Sequence, residues 1–302
     1  MSIPIKEFEK RLESISEYKG IPYGRAYMLF DAEGAHEKAC LRYKGYLALS
    51  DAFKCLFLET VELINTECQP KVTNPLSESY ALFVPRLVHS FKSLCGSERL
   101  AIKGYPYHAY TILRNTFDNL VLLSAALQGM TDFYSIEGIK VGQEFDPRSS
   151  KKLRKNVEFE VRRLMTGSKS GLDQATIKEL EQWDALFDYE VHGARLSLAD
   201  TQLWMRGQTP LPVLPEFQED AFAIFMNRYC EIAWLTHRLL PLLQPQEGPL
   251  GPPWGEKWNI IDESFETMVN SLTRELGKII GKAFVEFVKK KFPFNAKSVF
   301  PL

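Results

Sequence analysis

Apolar residues return every three or four positions along most of this chain, and that period points to helices packed through one face each. Over Ala35 to Glu67, Leu41, Tyr46, Leu47, Phe53, Leu56, Phe57, Val61 and Ile64 give an apolar contact each turn, so the spacing predicts one long helix. Asn74-Pro75 breaks the pattern. It resumes over Leu76 to Leu94, with a kink expected at Pro85 and a stop at Gly96. Gly104-Tyr105-Pro106 then sets up a helix from Tyr107, which Gly129 ends. Asp173 can cap a stripe running from Ile177 to Leu198, and Glu216 to Leu243 and Asn259 to Lys291 read as two more helices. Strand-like runs are few. The expected fold is all-α, a multi-helix bundle of long antiparallel helices with a C-terminal helical extension. Its parts are an N-terminal segment (1–32), the bundle (33–243), a Pro/Gly linker (244–255, QPQEGPLGPPWG) and a C-terminal helix and tail (256–302).

A formal charge of −1 removes any global field towards nucleic acid or membrane, so a polyanion site has to be local. No apolar run approaches the roughly 20 residues that span a bilayer, so no membrane partner is expected. The N-terminal MSIPIKEFEKRLESISEYKG mixes charged and apolar residues without the apolar core of a signal peptide. The five cysteines are widely spaced and form no Cys-x-x-Cys pair, which suits reduced thiols in a cytoplasmic protein. Neither a metal nor a cofactor is expected. Phosphate-binding glycine loops, His-Glu-x-x-His and Gly-x-Ser-x-Gly are missing from the sequence.

One local site is basic. From Arg148 to Lys169, Lys151, Lys152, Arg154, Lys155, Arg162 and Arg163 surround an apolar stripe of Leu153, Val157, Val161 and Leu164. This is the pattern of an amphipathic helix whose outer face can lie along phosphates, or can simply be solvated.

Two further constellations have chemical potential. Arg114 falls in line with Tyr107, Tyr110, Val121 and Ala125, on a face that should be core, and Asp118 follows it at i+4. A guanidinium held by a carboxylate can aim at a phosphate, or the two can be an ion pair that fixes helix register. Tyr107 and His108 are the neighbouring ligand-binding candidates. Farther on, Asp188, His192 and Arg195 share one side of a helix, an arrangement suited to acid–base work on a phosphodiester. The other histidines are weaker candidates: His36 in EGAHEK reads as exposed, and His237 as structural or surface.

Ile112-Leu113-Arg114-Asn115-Thr116-Phe117-Asp118 and Tyr189-Glu190-Val191-His192-Gly193 together resemble motifs of a bacterial branch of the HEPN-like helical proteins. The resemblance spans Leu76 to Ala199. It implies a helical bundle, frequent dimerisation, and roles in toxin–antitoxin or phage-defence systems, often as metal-independent ribonucleases. One departure matters: the ribonuclease members use an Arg followed by His after four to six intervening residues, and no such pair exists in this chain. Either Arg114 or Arg195 replaces that arginine in space, or the chain is a non-catalytic relative. Three functional readings stay open: an effector acting on RNA through His192, Arg114, Asp118 and Arg195; a non-enzymatic subunit docking a protein partner; and a binder of a small anionic nucleotide.

Overall fold

The fold turns on how each helix is stopped. The computed structural model describes residues 24–67, 75–127, 129, 131–139, 146–166, 219–243 and 251–279. Among them run α1 (Gly24–Cys40), α2 (Lys44–Glu67), α3 (Pro75–Ile102), α4 (Pro106–Leu127), α5 (Phe133–Glu137), α6 (Pro147–Thr166), α7 (Glu219–Leu239) and α8 (Pro252–Ile279). A 3₁₀ turn over Leu240–Leu243 follows α7. No strand occurs among the described residues, so the all-α expectation holds.

Gly104 makes the short connection between α3 and α4. Its N–H bonds the Ala101 carbonyl at 3.0 Å and the N–H of Tyr105 reaches back to the Leu100 carbonyl at 2.9 Å. Those two bonds form a Schellman stop, and the φ of 94° at Gly104 is left-handed backbone that glycine adopts without a Cβ penalty. Pro106 then begins α4, where its missing N–H costs no helical bond. So short a link folds α3 and α4 into an α-hairpin.

Two expectations about helix ends are corrected. Gly96 does not stop α3, which runs through it to Ile102. A Cβ at Gly96 would meet nothing within 4 Å, so this glycine sits on an open face inside the helix. The single helix expected over Ala35 to Glu67 is in fact two. The N–H groups of Leu41, Arg42 and Tyr43 bond the carbonyls of Lys38, Ala39 and Cys40 at 3.2, 3.5 and 3.0 Å, a tightened last turn that ends α1. Tertiary contacts accompany this break, and Gly45 follows it in the first turn of α2: Tyr43 Oη donates to Glu219 at 3.0 Å and Arg42 pairs with the same carboxylate at 2.8 Å. Leu41, placed by its spacing in the core, is 56% exposed in the turn.

Helix α7 is the axis of the core, packed against α2, α3, α4 and α8. Phe222, Phe225 and Tyr229 on it are fully buried, and Tyr46 of α2 meets Phe222 and Tyr229 edge-on. On the α2–α3 contact, Phe57 and Phe91 stack with centroids 3.9 Å apart and planes 4° from parallel. Buried hydroxyls bond backwards along their own helices: Thr60 to Leu56, Thr116 to Ile112 and Thr236 to Ile232, at 2.6 to 2.9 Å.

Helix α8 begins earlier than Asn259. Pro252 and Pro253 form its first turn, and Trp254 is buried with its indole N–H on Thr60 Oγ1 at 2.8 Å. The last residues of the Pro/Gly run are therefore helix and core, because proline suits a helix's first turn. Further polar contacts dock α8 on α7. Trp234 Nε1 donates to Asp262 at 2.6 Å, and Trp258 Nε1 donates to the His237 carbonyl at 3.1 Å. The tail beyond Ile279 lies outside the described residues.

Candidate nucleic-acid interface

The basic segment is a helix, α6, and it sits on the outside of the bundle against α5 and α4. Three local features hold it there. Asp146 caps its start, with Oδ2 accepting from Ser149 N at 3.0 Å and Oδ1 from Arg148 N at 3.3 Å. The Ser149 hydroxyl and N–H, then the Arg148 N–H, hold the Asp146 carboxyl below its ordinary range. Val161 is buried and Leu153 and Val157 are half-buried, so the apolar stripe faces the protein as expected.

Gly138 is the third feature. It ends α5 with φ 71°, its N–H bonded to Ser135 O at 3.0 Å and the next N–H to Tyr134 O at 2.8 Å. A Cβ there would stand 2.6 Å from the Ser150 carbonyl oxygen and press on the Ser150 hydroxyl. This glycine thus serves both the turn and the close approach of α6. Helix α5 is itself moored by Arg86 of α3. Its guanidinium pairs with Glu137 and donates to the Ile136 carbonyl at 3.1 Å and to Asn119 Oδ1 at 3.2 Å.

With the stripe turned inward, the cations face solvent. Helix α6 carries seven Arg or Lys against two Glu. Arg148, Lys151, Lys152, Arg154 and Lys155 are all exposed, and none makes an ion pair among the described residues. At about 100° per residue, Arg148, Lys151, Lys152 and Lys155 share an arc of roughly 100°. Arg162 and Arg163 belong to the same helix, but their side chains lie outside the described residues. Phe159, which the sequence reading passed over, falls inside the basic arc one turn beyond Lys155 and is 67% exposed. Its i+4 spacing from Lys155 was the available signal.

The other candidates are distributed as follows. Arg114 is buried on α4, with Nε donating to Asp118 Oδ2 at 3.2 Å, and the Asp118 side chain is 32% exposed. The expected i+4 pair is therefore formed, at the boundary between core and solvent. His108 is exposed and meets Tyr105 edge-on, with ring centroids 6.0 Å apart. It lies about 120° around α4 from Arg114, so the two do not share a face. The side chain of Tyr107 lies outside the described residues, as do Asp188, His192 and Arg195.

His36 is corrected from exposed to buried. It is 2% exposed, and Nδ1 donates to the Ile102 carbonyl at 2.8 Å, tying α1 to the end of α3. Burial lowers its pKa, against the opposing effect of that carbonyl. Cys40, whose Sγ lies 3.4 Å from the same ring nitrogen, has its thiol pushed up to about 12 by burial. Such a thiol is an inert packing group. The described cysteines Cys40, Cys55, Cys95 and Cys230 are all free thiols.

A buried polar row on α2 also escaped the sequence reading. Tyr46, Ser50 and Lys54 recur at i+4; Ser50 meets the Tyr229 hydroxyl at 2.9 Å and Lys54 reaches inward to pair with the buried Glu98 of α3. Removing one partner of such a pair would strand the other; Lys54–Glu98 joins α2 to α3 and Ser50–Tyr229 joins α2 to α7.

Among the described residues no group of three His, Cys, Asp or Glu side chains is placed to hold a metal ion. No described helix is long and apolar enough to cross a membrane. No protein-family model, curated protein or solved structure matches this chain.

Proposed function

We propose that this protein binds RNA along the outer face of α6. The observation that carries this reading is the row Arg148, Lys151, Lys152 and Lys155: four exposed cations on one arc, without ion pairs among the described residues, on a helix whose apolar side is occupied by the bundle. A row of cations whose charge is not already neutralised by carboxylates releases counterions when it meets phosphates, and that release drives binding even in a chain of net charge −1. Arg86, Gly138 and Asp146 give the row a fixed backbone, so little order is lost on binding.

Fluorescence anisotropy with a short labelled RNA tests it. Four phosphate contacts on a single strand give a slope of log K against log salt of about −3. Replacing Lys151, Lys152 and Lys155 together by Ala should leave a slope near −1 and bring affinity close to background. These side chains are exposed, so the thermal midpoint should stay in place. Equal affinity and slope in the triple variant would end the proposal. The same RNA incubated without metal reports cleavage, which the reading of His192 with Arg114 and Arg195 expects. His192→Ala should abolish cleavage and leave the α6 slope unchanged.

A further inference from the structure

We infer that α6 takes a single strand, by stacking a nucleobase on Phe159. The inference rests on the RNA-binding reading above and sharpens it to a substrate class.

Phe159 is the most exposed large apolar side chain among the described residues, at 67%, and has no ring contact there. An isolated exposed apolar residue is ordinary. Phe159 is different in its surroundings: it stands in the same arc as Arg148, Lys151, Lys152 and Lys155, with one turn of helix between it and Lys155. From Arg148 to Phe159 the helix advances about 16 Å, room for several phosphates before the ring is reached. Cations tracking a backbone and an aromatic face beside them make up the recognition surface of single strands, since every base offers a π-face. A duplex keeps its bases paired and stacked, showing a helix phosphates, sugars and base edges but no free π-face along its length, so Phe159 would gain nothing from it.

The alternative occupant of a basic helix with an exposed aromatic is an anionic membrane. Interfacial helices insert a whole apolar face into the lipid. Here that face is Leu153, Val157 and Val161, and it is turned into the protein against α4 and α5. A single ring among cations is a base platform rather than a membrane anchor.

The test compares one labelled RNA as a single strand and as a duplex with its complement, against wild type, Phe159→Ala and Phe159→Trp, with phosphatidylserine vesicles as a separate arm. Single strand should bind more tightly than duplex. Phe159→Ala should lose about tenfold for the single strand, little for the duplex, with the salt slope unchanged, because a stacking contact releases no counterions. Phe159→Trp should retain or tighten binding. Equal losses for both forms, or none, would overturn the stacking inference while the α6 interface stood. Absence of binding to either RNA form would overturn both, and vesicle binding that depends on Phe159 would assign the ring to lipid instead.

Discussion

Acid should weaken this fold through one histidine, and the size of the effect follows from its surroundings. His237 is fully buried between α7 and α8, its ring stacked on Trp258 with centroids 5.0 Å apart. Nε2 lies 3.0 Å from the Trp258 carbonyl oxygen, which can only accept, so the neutral ring carries its proton on Nε2. Nδ1 is buried without a hydrogen-bond partner. A second proton would have to sit there, in a dry core lined by Phe53 and Phe265. Burial accordingly depresses the pKa of His237 from 6.5 to about 4, outweighing the Trp258 carbonyl and Asp262, with Arg238 adding to the depression.

Between those two values the unfolded chain binds a proton that the native protein refuses, so stability rises with pH across the window. The contribution is complete above pH 6.5 and lost as pH falls through about 4. A shift of that size corresponds to about 3 kcal/mol in total, of which about 2 kcal/mol is gone by pH 5. Carboxylates held low, such as Asp132 and Asp146, lose their contributions only in and below the ordinary carboxylate range, near the bottom of this window. Urea unfolding from pH 7.5 to 4.5 should show this slope at constant m-value. His237→Gln keeps a neutral donor for the Trp258 carbonyl and cannot titrate. It should be less stable at pH 7.5 from lost stacking, yet flatter with pH. The residual slope belongs to His36, which is depressed in the same direction, and at the acid end to the carboxylates held low. If wild type and His237→Gln lost equal stability between pH 7.5 and 5, the argument from a neutral buried ring would be wrong.

Two further outcomes follow from the packing. Gly138→Ala should destabilise by about 1–3 kcal/mol, combining left-handed strain with the contact on Ser150. Hydrogen exchange should quicken across Pro147–Thr166 and leave α7 protected; unchanged exchange in α6 would show that the glycine is not what seats it. Trp254→Ala should cost about 3–5 kcal/mol in urea titration, and Trp254→Phe about 1–2 kcal/mol, because the second loses the bond to Thr60 and only part of the ring. A Trp254→Ala cost below about 1 kcal/mol would mean that the Pro/Gly run is a plain linker despite its buried indole.

The apolar period revealed which faces are buried: Phe53, Leu56 and Phe57 on α2 and Tyr110 and Ala125 on α4 all lie in the core, while Val121 on the same line is half-buried. Period alone does not reveal where a helix is cut. At the α1–α2 break Tyr43 and Arg42 meet Glu219 from a distant part of the chain, and the local cue, Gly45, falls inside the first turn of α2 rather than at the break itself. Trp254 was hidden for a related reason. Its neighbours Pro252, Pro253 and Gly255 suggest a loop, while the Thr60 that receives its indole N–H is far away in sequence. The polar row Tyr46, Ser50 and Lys54 was legible in principle, since polar residues at i+4 within an apolar stripe ask for a buried partner. Only the identities of the partners, Tyr229 for Ser50 and Glu98 for Lys54, required the fold.

The candidate interface divides along the same line. That α6 would be a helix with a basic outer face followed from spacing, because charge and burial segregate by angle on one element. That the face would be held still did not, because the holding groups lie on three other segments: Arg86 on α3, Gly138 after α5 and Asp146 before α6 itself. Gly138 shows the limit most sharply. Its role as a helix stop is a local property of glycine, yet its second role exists only because Ser150 crosses within 2.6 Å of where a side chain would be. The charges that would attract a polyanion are therefore written in one stretch of sequence, and the rigidity that would let them bind it tightly is written elsewhere. A variant that leaves every lysine in place but unseats α6 should weaken RNA binding through lost order, with its salt slope preserved.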